Sequence, residues 1–519
     1  MFGGLLIGLA LSGCAEKDTQ PADDTAVSAE SGGALSDDGA GSSDGGAGGG
    51  DGAPNTTGGS DATPPGTGDA PETSADDSPP GGNILLIVVD DIGLDKVAAY
   101  GMHPTPAKTP TMDALAAQGV RFTDAYAAPT CSPSRASMLT GRHASRHGVG
   151  RWLDPPNDEY DLQESELTLP EMIAYSPLGY ATTAVGKWHL VNWATPDPAA
   201  HPLRHGFEHH AGSLANPGNA LQENEESLGY YNWEKSIDAE VGWSDEYMTV
   251  DNTDEALDCI SKTPEPWLLY LAYNAAHAPL HAPPDALLDE PLPASPSDLQ
   301  EFEAIVEGLD TELARLLDGI PADVLADTTI ILVGDNGSPD HGISPPLDSA
   351  RAKGTVYEGG VRVPLIVTGP LVGCEGCESD AMVHVVDIFP TIAEIAGVSL
   401  VGLTDDAGEP LSLDGESLLP LFEHPDAPDL RRYLYSEAFH PPGAPPYDYH
   451  NRTVRNGDWK LIEIDDGGEV EEALYALVPG DLDEGEDLLA VGLDAEASEA
   501  YDRLREELDA LSGALAFDR

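Results

Sequence analysis

A continuous aliphatic run opens the part of the chain that is apolar enough to fold. Residues 83–89 read Asn-Ile-Leu-Leu-Ile-Val-Val, follow two glycines and precede Asp90 and Asp91. A run without polar alternation predicts a strand of a parallel sheet that is buried on both faces. Residues 328–333 repeat the pattern and end in a Gly-Asp-Asn-Gly turn at 334–337. Acidic residues therefore stand at the carboxyl ends of two predicted core strands.

Helical patterns accompany both strands. Thr109 and Pro110 form an N-cap pair, and Gly119 ends the short helix that they begin. Residues 298–320 carry apolar side chains at helical spacing, and residues 361–367 read as a further strand. We therefore expect an α/β fold with a large mixed, mostly parallel sheet sandwiched by helices.

The apolar runs become shorter from about residue 431. Residues 432–435 and 459–462 read as strands, and residues 497–511 read as a terminal helix. These elements predict a smaller C-terminal α+β subdomain over 431–519, beside a main domain over 83–430.

The first 82 residues have a different composition. Residues 1–14 contain an apolar run too short to span a bilayer, and their last four residues, Leu-Ser-Gly-Cys, resemble a bacterial lipobox. Residues 15–82 have almost no large apolar side chains, which predicts a disordered acidic linker. We expect a signal peptide that is cut before Cys14, acylation of that cysteine, and an exported lipoprotein in the periplasm or at the cell surface.

Charge limits the partners of the chain. The formal net charge of −68 repels nucleic acid and anionic polymers, so no nucleic-acid partner is expected, and the lipid is the only expected contact with a membrane. An anionic substrate needs a bound cation or a cluster of Lys and Arg. In an exported protein, Cys374 and Cys377 predict a small loop disulfide, and Cys259 predicts a buried thiol.

The most specific local motif is Cys131-Ser-Pro133-Ser-Arg135. Pro133 can start a helix whose N–H groups and dipole favour negative charge at Cys131, just before it. A Cys-X-Pro sequence by itself is better explained by a small buried cysteine in front of a helix.

With its neighbours, however, this motif resembles the Cys-X-Pro-X-Arg signature of the type I, formylglycine-dependent sulfatases, which are arylsulfatase-like members of the alkaline-phosphatase-like superfamily. The resemblance extends over residues 83–490 through short motifs in a fixed order: Asp90-Asp91-Ile-Gly, Gly-Lys187-Trp-His189-Leu, His277-Ala-Pro, Asp335-Asn336-Gly, Lys353-Gly and Gly457-Asp-Trp-Lys-Leu. It implies that residues 83–430 form a sulfatase catalytic domain. It also implies that a formylglycine-generating enzyme oxidises Cys131 to 3-oxoalanine (formylglycine).

The same resemblance implies roles for the motif residues. Lys187 and Lys353 would contact the sulfate, and Arg135 would lie beside the hydrated aldehyde. His189 would remove a proton from that diol, and His277 would help to protonate the leaving alcohol. The implied reaction is a transesterification, in which one hydroxyl of the diol attacks sulfur and the second loses its proton to expel sulfate.

A metal site is predicted at the carboxyl ends of the two core strands. Asp90, Asp91, Asp335 and Asn336 can converge there because ligands collect at that edge of an open α/β sheet. Their oxygens suit a hard cation, Ca²⁺ with Mg²⁺ as the alternative. The resemblance adds Cys131 to this set, since one oxygen of its hydrated aldehyde would contact the cation.

The segment after residue 186 carries two further expectations. Lys187 and His189 alternate along an extended stretch, which turns both side chains to one side and Trp188 to the other. Four histidines then crowd the next loop, either as loop variation or as a rim that contacts substrate: His201, His205, His209 and His210.

The expected function is hydrolysis of a sulfate ester, with sulfated carbohydrate as the preferred substrate class and aryl sulfates as artificial substrates. A phosphodiesterase or phosphonate monoester hydrolase on the same scaffold is the alternative. A surface protein that only binds sulfated glycans is a second alternative, although binding alone would not need Cys131, His189 and the acidic set together. These motifs leave the particular ester and the oligomeric state open.

Overall fold

The structure is a computed structural model that describes residues 80–155, 157–158, 160–221, 229–405, 408–478 and 482–514. The predicted signal peptide with Cys14, and the predicted linker up to residue 79, lie outside these residues and stay predictions. None of the described helices is both long enough and apolar enough to span a bilayer.

Strands and helices alternate through most of the described chain. The strands, in chain order, are β1 (Asn83–Val89), β2 (Val120–Phe122), β3 (Ala125–Tyr126), β4 (Ala181–Gly186), β5 (His209–Gly212), β6 (Trp233–Ile237), β7 (Glu240–Ser244), β8 (Trp267–Ala272), β9 (Thr328–Gly334), β10 (Leu365–Thr368), β11 (Cys377–Ser379), β12 (Val383–His384), β13 (Leu434–His440), β14 (Tyr449–Arg455), β15 (Trp459–Asp465) and β16 (Val470–Ala476). The α-helices are α1 (Pro110–Gln118), α2 (Cys131–Thr140), α3 (Ala144–His147), α4 (Leu169–Ile173), α5 (His201–Arg204), α6 (Met248–Lys262), α7 (Asp298–Gly319), α8 (Ala322–Ala326), α9 (Glu358–Val361), α10 (Ile388–Ile395), α11 (Leu419–Glu423), α12 (Leu488–Val491) and α13 (Ala495–Ala514).

Among the residues that the structure describes, the largest sheet has ten strands in the order β11-β2-β10-β9-β1-β8-β4-β5-β6-β7. Its five central strands, from β9 to β5, are parallel. β10 and β6 run antiparallel to the strands beside them. The predicted α/β fold with a mixed, mostly parallel sheet is therefore confirmed.

The aliphatic residues of β1 serve two cores. Even-numbered residues from 84 to 88 belong to one buried cluster, and odd-numbered residues from 85 to 89 belong to the other. Because a strand alternates its side chains between the two faces of a sheet, a strand covered on both faces needs the unbroken aliphatic run that the sequence shows. Helices α2 and α10 contribute to the first cluster, and α7 contributes to the second.

Residues 361–367 form the predicted strand only in part. Val361 ends helix α9, and β10 begins at Leu365, directly after Pro364. Proline has no N–H to donate to a sheet, which confines the strand to the residues after it. Val361 and Val363 are nevertheless fully buried. The apolar pattern thus indicated burial correctly, but it predicted strand structure correctly only from Leu365 onward.

The C-terminal part is an antiparallel sheet, β13-β14-β15-β16, together with helix α13. Its core contains Val454, Leu461, Leu474, Leu504 and Leu508. The predicted α+β subdomain is present, and its strands and helix are longer than the apolar runs that predicted them. The boundary at residue 430 stays a prediction. Cys374 and Cys377 form the expected disulfide, and Cys259 is buried as expected.

Candidate active site

The acidic residues meet because their two strands are neighbours in register. Val89 of β1 lies opposite Gly334 of β9, so the residues that follow leave the sheet side by side. The backbone N–H of Asp91 donates to Asp335 Oδ1 at 3.3 Å, and Asn336 Nδ2 donates to Asp91 Oδ1 at 2.8 Å. Asp91 has φ 61°, a left-handed conformation that is uncommon for residues other than glycine, although aspartate adopts it more readily than most.

Helix α2 carries Cys131 to this edge. The helix begins at Cys131, two residues before the start predicted from Pro133, so the thiol belongs to the first turn. Cys131 is fully buried, and its Sγ and carboxylate oxygens of Asp90 and Asp335 lie within 4.8 Å of one another. One turn further, Arg135 donates from Nε and Nη2 to Asp335 Oδ2 at 2.9 and 2.7 Å.

The segment after β4 supplies a lysine and a histidine. Lys187 Nζ contacts the carboxylate of Asp90, and His189 Nδ1 lies 3.3 Å from Cys131 Sγ. Trp188 packs instead against His201 and Phe207, although the segment is not extended throughout as predicted, because His189 has φ 58°. The backbone N–H groups of Lys187 and His189 donate to the carbonyls of Ala272 and Leu214. The segment therefore stays hydrogen-bonded to its neighbours beyond the end of β4.

The proton on His189 is fixed by a backbone carbonyl. His189 Nε2 lies 2.8 Å from the oxygen of Leu153, which can only accept, so Nε2 carries the proton. Nδ1 is then an acceptor that faces residue 131. Burial lowers the pKa of His189 well below its ordinary value, and the charge of Lys187 lowers it further. The ring is therefore neutral and able to accept a proton.

Lys353 and His277 complete the cluster. Lys353 Nζ contacts Asp91 Oδ1, and its backbone N–H donates to Ser338 at 3.0 Å. His277 donates from Nδ1 to the carbonyl of Ala278 at 2.7 Å. Burial, with the charges of the two site lysines, lowers the pKa of His277 to about 4. The structure thus brings together all the residues that the sequence predicted for this site.

Burial and neighbouring charges set the ionisation of the acidic groups. Burial would raise the pKa of Asp90, but Lys187 holds it below its ordinary value. Asp91 is held low in the same way by Lys353. Burial and the neighbouring Asp90 raise the pKa of Asp335 to about 6. Burial also raises the pKa of the Cys131 thiol, which keeps it protonated.

Two buried oxygens at this edge have no hydrogen-bond partner among the described residues. They are Asp90 Oδ1 and Asn336 Oδ1, both acceptors. Leaving such acceptors unsatisfied costs free energy, and a hard cation with oxygen ligands would satisfy them. The residues present therefore fit Ca²⁺ or Mg²⁺.

The histidine rim suggested by the sequence is wrong. All four histidines are buried, and His201 and His205 pack their rings against Trp188 with centroids 5.8 and 5.9 Å apart. His209 and His210 are buried within strand β5, so none of the four histidines lines an exposed rim.

Sequence reasoning also missed two positioning contacts. One is the carbonyl of Leu153, which orients His189. The other is Tyr230, whose hydroxyl lies 2.6 and 2.8 Å from the carbonyl oxygens of Asn274 and His277, can donate its one proton to either, and so holds the loop that carries His277. A backbone acceptor leaves no trace in residue identity, and Tyr230 stands outside every motif, so no local signal could have found either.

Comparisons with known proteins identify the family of the chain. Residues 82–398 match the family described as Sulfatase, and residues 351–512 match N-sulphoglucosamine sulphohydrolase, C-terminal. The chain is 32% identical over 366 residues to N-acetylgalactosamine-6-sulfatase of Homo sapiens, covering 65% of each chain. It is 32% identical over 367 residues to arylsulfatase A of Bos taurus, covering 66% of this chain and 68% of that protein.

Solved structures share the fold. The structure of Ps i-CgsB has a TM-score of 0.68 and 25% identity, covering 83% of this chain and 93% of that chain. The structure of BT4656 in complex with its substrate D-glucosamine-2-N,6-O-disulfate has a TM-score of 0.63 and 19% identity, covering 84% and 98% of the two chains, and shows the fold alone. The chain spans about 65% of the length of the N-acetylgalactosamine-6-sulfatases that it matches. Because the Sulfatase match covers more than half of the chain and every motif from Asp90 to Lys353, this chain belongs to the sulfatase family.

Proposed function

We propose that the protein hydrolyses sulfate esters, with residue 131 as the nucleophile after its oxidation to formylglycine. The observation that carries this proposal is the position of Cys131. It stands in the first turn of α2 within the complete Cys-X-Pro-X-Arg motif, 3.3 Å from an acceptor nitrogen of His189. The sulfatase family match and the names of the relatives support the same reaction.

Each side chain around residue 131 has its own role in the proposed reaction. A hydrated aldehyde at this position supplies two hydroxyls, one to attack sulfur and one whose deprotonation releases sulfate. His189 Nδ1 takes up the proton, because Leu153 holds the other ring nitrogen in its protonated form. Lys187 and Lys353 bring positive charge to an otherwise acidic site, which lowers the repulsion that a sulfate would meet. His277 would protonate the leaving alcohol once it has taken up a proton on Nε2, because its neutral ring holds its one proton on Nδ1 against the carbonyl of Ala278.

A divalent cation belongs to this proposal. Asp90, Asp91, Asp335 and Asn336 would hold Ca²⁺, or Mg²⁺ in its place, together with residue 131. Such an ion polarises the sulfate and offsets its charge. Arg135 forms an ion pair with the carboxylate of Asp335 and so keeps one ligand in position.

The preferred substrate class is sulfated carbohydrate. The relative named N-acetylgalactosamine-6-sulfatase points to a sulfated sugar, and a formylglycine-generating enzyme is the expected partner during maturation. Aryl sulfates should serve as artificial substrates.

The function is tested by comparing kcat/KM for 4-nitrophenyl sulfate with that for the corresponding phosphate monoester and diester. We expect the sulfate to be preferred by about 100-fold or more, because the site is matched to the charge of a sulfate monoester. A preference for the phosphodiester would instead identify the alternative hydrolase. Tight binding of sulfated oligosaccharides without turnover of any ester would identify a binding protein.

Removal of the cation should affect both turnover and stability. After chelation, the midpoint of thermal unfolding should fall, because the oxygens of Asp90 and Asn336 lose their partner. Turnover should be lost as well, because the charge of the sulfate is no longer offset by the ion. Calcium at about 100 times its dissociation constant should restore about 2.7 kcal/mol of stability. The measurement is calorimetry of the chelated protein with Ca²⁺, Mg²⁺ or Zn²⁺ added back. An Asn336→Leu variant, which removes one ligand oxygen at similar volume, should need more calcium. Equal calcium responses of the variant and the wild type would contradict the assigned ligands.

A further inference from the structure

A second cluster of metal-binding side chains lies between strand β5 and helix α6. His209 opens β5, and Glu255 and Cys259 stand four residues apart on α6, which puts them on one face of that helix. One ligand atom from each of the three residues lies within 4.8 Å of the other two. Nitrogen, oxygen and sulfur donors are therefore close enough together for one ion to lie between them.

This cluster is separate from the active site. His209 pairs in register with Thr183 of β4, four residues before Lys187, which corresponds to about 13 Å along the strand. No residue of the cluster contributes to the motifs that carry the proposed reaction. A ligand bound here would not contact the substrate of the proposed reaction.

The cluster is arranged as metal ligands usually are. The ring of His209 contacts the carboxylate of Asp238 through Nδ1, at 2.9 Å from Oδ1, and this kind of contact orients a histidine that binds metal through its other nitrogen. Glu255 accepts from Lys235 Nζ at 2.7 Å through Oε1. Its second oxygen, Oε2, is buried and has no hydrogen-bond partner in the described part of the chain. That oxygen is available to a cation.

We propose that His209, Glu255 and Cys259 bind a zinc ion that fastens α6 to β5. Zinc accepts imidazole, carboxylate and thiolate ligands in tetrahedral geometry, and a water molecule would fill the fourth position. The thiol of Cys259 releases its proton to solvent on binding, so that thiolate and carboxylate together balance the charge of the ion. The sulfur ligand favours zinc over the hard cations expected in the active site. Asp238 and Glu255 are partly exposed, which gives the ion a path from solvent.

Cobalt reports directly on the sulfur ligand. The protein is prepared as a Cys14→Ala/Cys131→Ala variant without reductant, so that Cys259 is the only cysteine outside the disulfide. Titration of the metal-free protein with Co²⁺ should give a thiolate-to-cobalt charge-transfer band that saturates at about one equivalent and disappears when zinc is added. A further Cys259→Ser substitution should abolish the band. Absence of the band, or its persistence in the Cys259→Ser protein, would overturn the proposal.

A second pair of variants does not depend on removing the thiol. Glu255→Gln keeps the oxygen that contacts Lys235, whereas Asp258→Asn removes the same charge from a neighbouring position of α6 that pairs with Lys262 at 2.9 Å. Zinc affinity is measured by competition with a fluorescent chelator. We expect Glu255→Gln to weaken binding by about 10-fold or more and Asp258→Asn by less than about 2-fold. Equal losses in the two variants would show that the acidic surface of the helix holds the ion, and would reject the site. The outcome is independent of the proposed sulfatase activity, since no step of the assay uses turnover.

Discussion

The Cys131→Ala variant is expected to fold and to lose turnover of sulfate esters by about five orders of magnitude, as enzymes do when their nucleophile is removed. The substitution removes one small buried side chain, so the folded structure should persist. Activity is measured with an aryl sulfate on protein produced together with a formylglycine-generating enzyme. In the same preparation, the wild-type peptide that contains residue 131 should be about 18 mass units lighter than the cysteine form.

A Cys131→Ser variant is the matched control. A serine offers one hydroxyl, so it can attack sulfur but has no second hydroxyl whose deprotonation expels sulfate. We expect the sulfated side chain to accumulate at about one equivalent without turnover. A wild-type protein that keeps an unmodified thiol and is fully active would contradict the proposed nucleophile. Calorimetry should show all three proteins folded.

The Lys460→Met variant is expected to lose about 3–5 kcal/mol of unfolding free energy, the usual cost of leaving a buried charge without its partner. Lys460 is fully buried on β15, and its Nζ donates to Glu358 Oε1 at 2.8 Å and to Glu484 Oε1 at 3.1 Å. Glu358 is the first residue of helix α9 in the main domain. The ion pair between Lys460 and Glu358 therefore links the C-terminal sheet to that domain. The measurement is chemical unfolding at neutral pH.

The control for this variant is Lys108→Met. The side chain of Lys108 is 52% exposed, and it pairs with Asp289 and Glu307 at 3.4 and 3.2 Å. Exposed ion pairs contribute about 0–1 kcal/mol, so this substitution should cost less than about 1 kcal/mol. Similar losses in the two variants would mean that the buried network contributes no more than a surface pair.

Acid should narrow the difference between Lys460→Met and the wild type. Burial by itself would raise the pKa of Glu358, but Lys460, with Arg455 and Arg362, lowers it to about 2. A glutamate in the unfolded chain titrates near pH 4.3, so this carboxylate stabilises the fold fully above about pH 4.3. The stabilisation is lost as the pH falls towards 2. Unfolding curves recorded between pH 5 and pH 2 should therefore converge, and a constant gap would contradict this account.

The sequence was informative wherever a pattern has one physical cause. The unbroken aliphatic runs of β1 and β9 predicted buried parallel strands because only a strand covered on both faces needs apolar side chains at every position. The motif residues at the ends of these strands identified the candidate site, since ligands collect at the carboxyl edge of such a sheet. Patterns with two causes were less reliable: residues 361–367 are mostly apolar because they are buried, yet four of the seven do not form a strand.

The sequence by itself determined the α/β class, the candidate site residues and the resemblance to the sulfatases, because these follow from periodicity and from short motifs. Only the tertiary structure decided which side chains meet. The register of β1 against β9 sets Asp91 beside Asp335, the carbonyl of Leu153 fixes the proton of His189, and the packing of α6 on β5 joins Cys259 to His209. Such contacts join residues far apart in the chain, and their distances depend on strand register and helix packing, which local sequence does not specify.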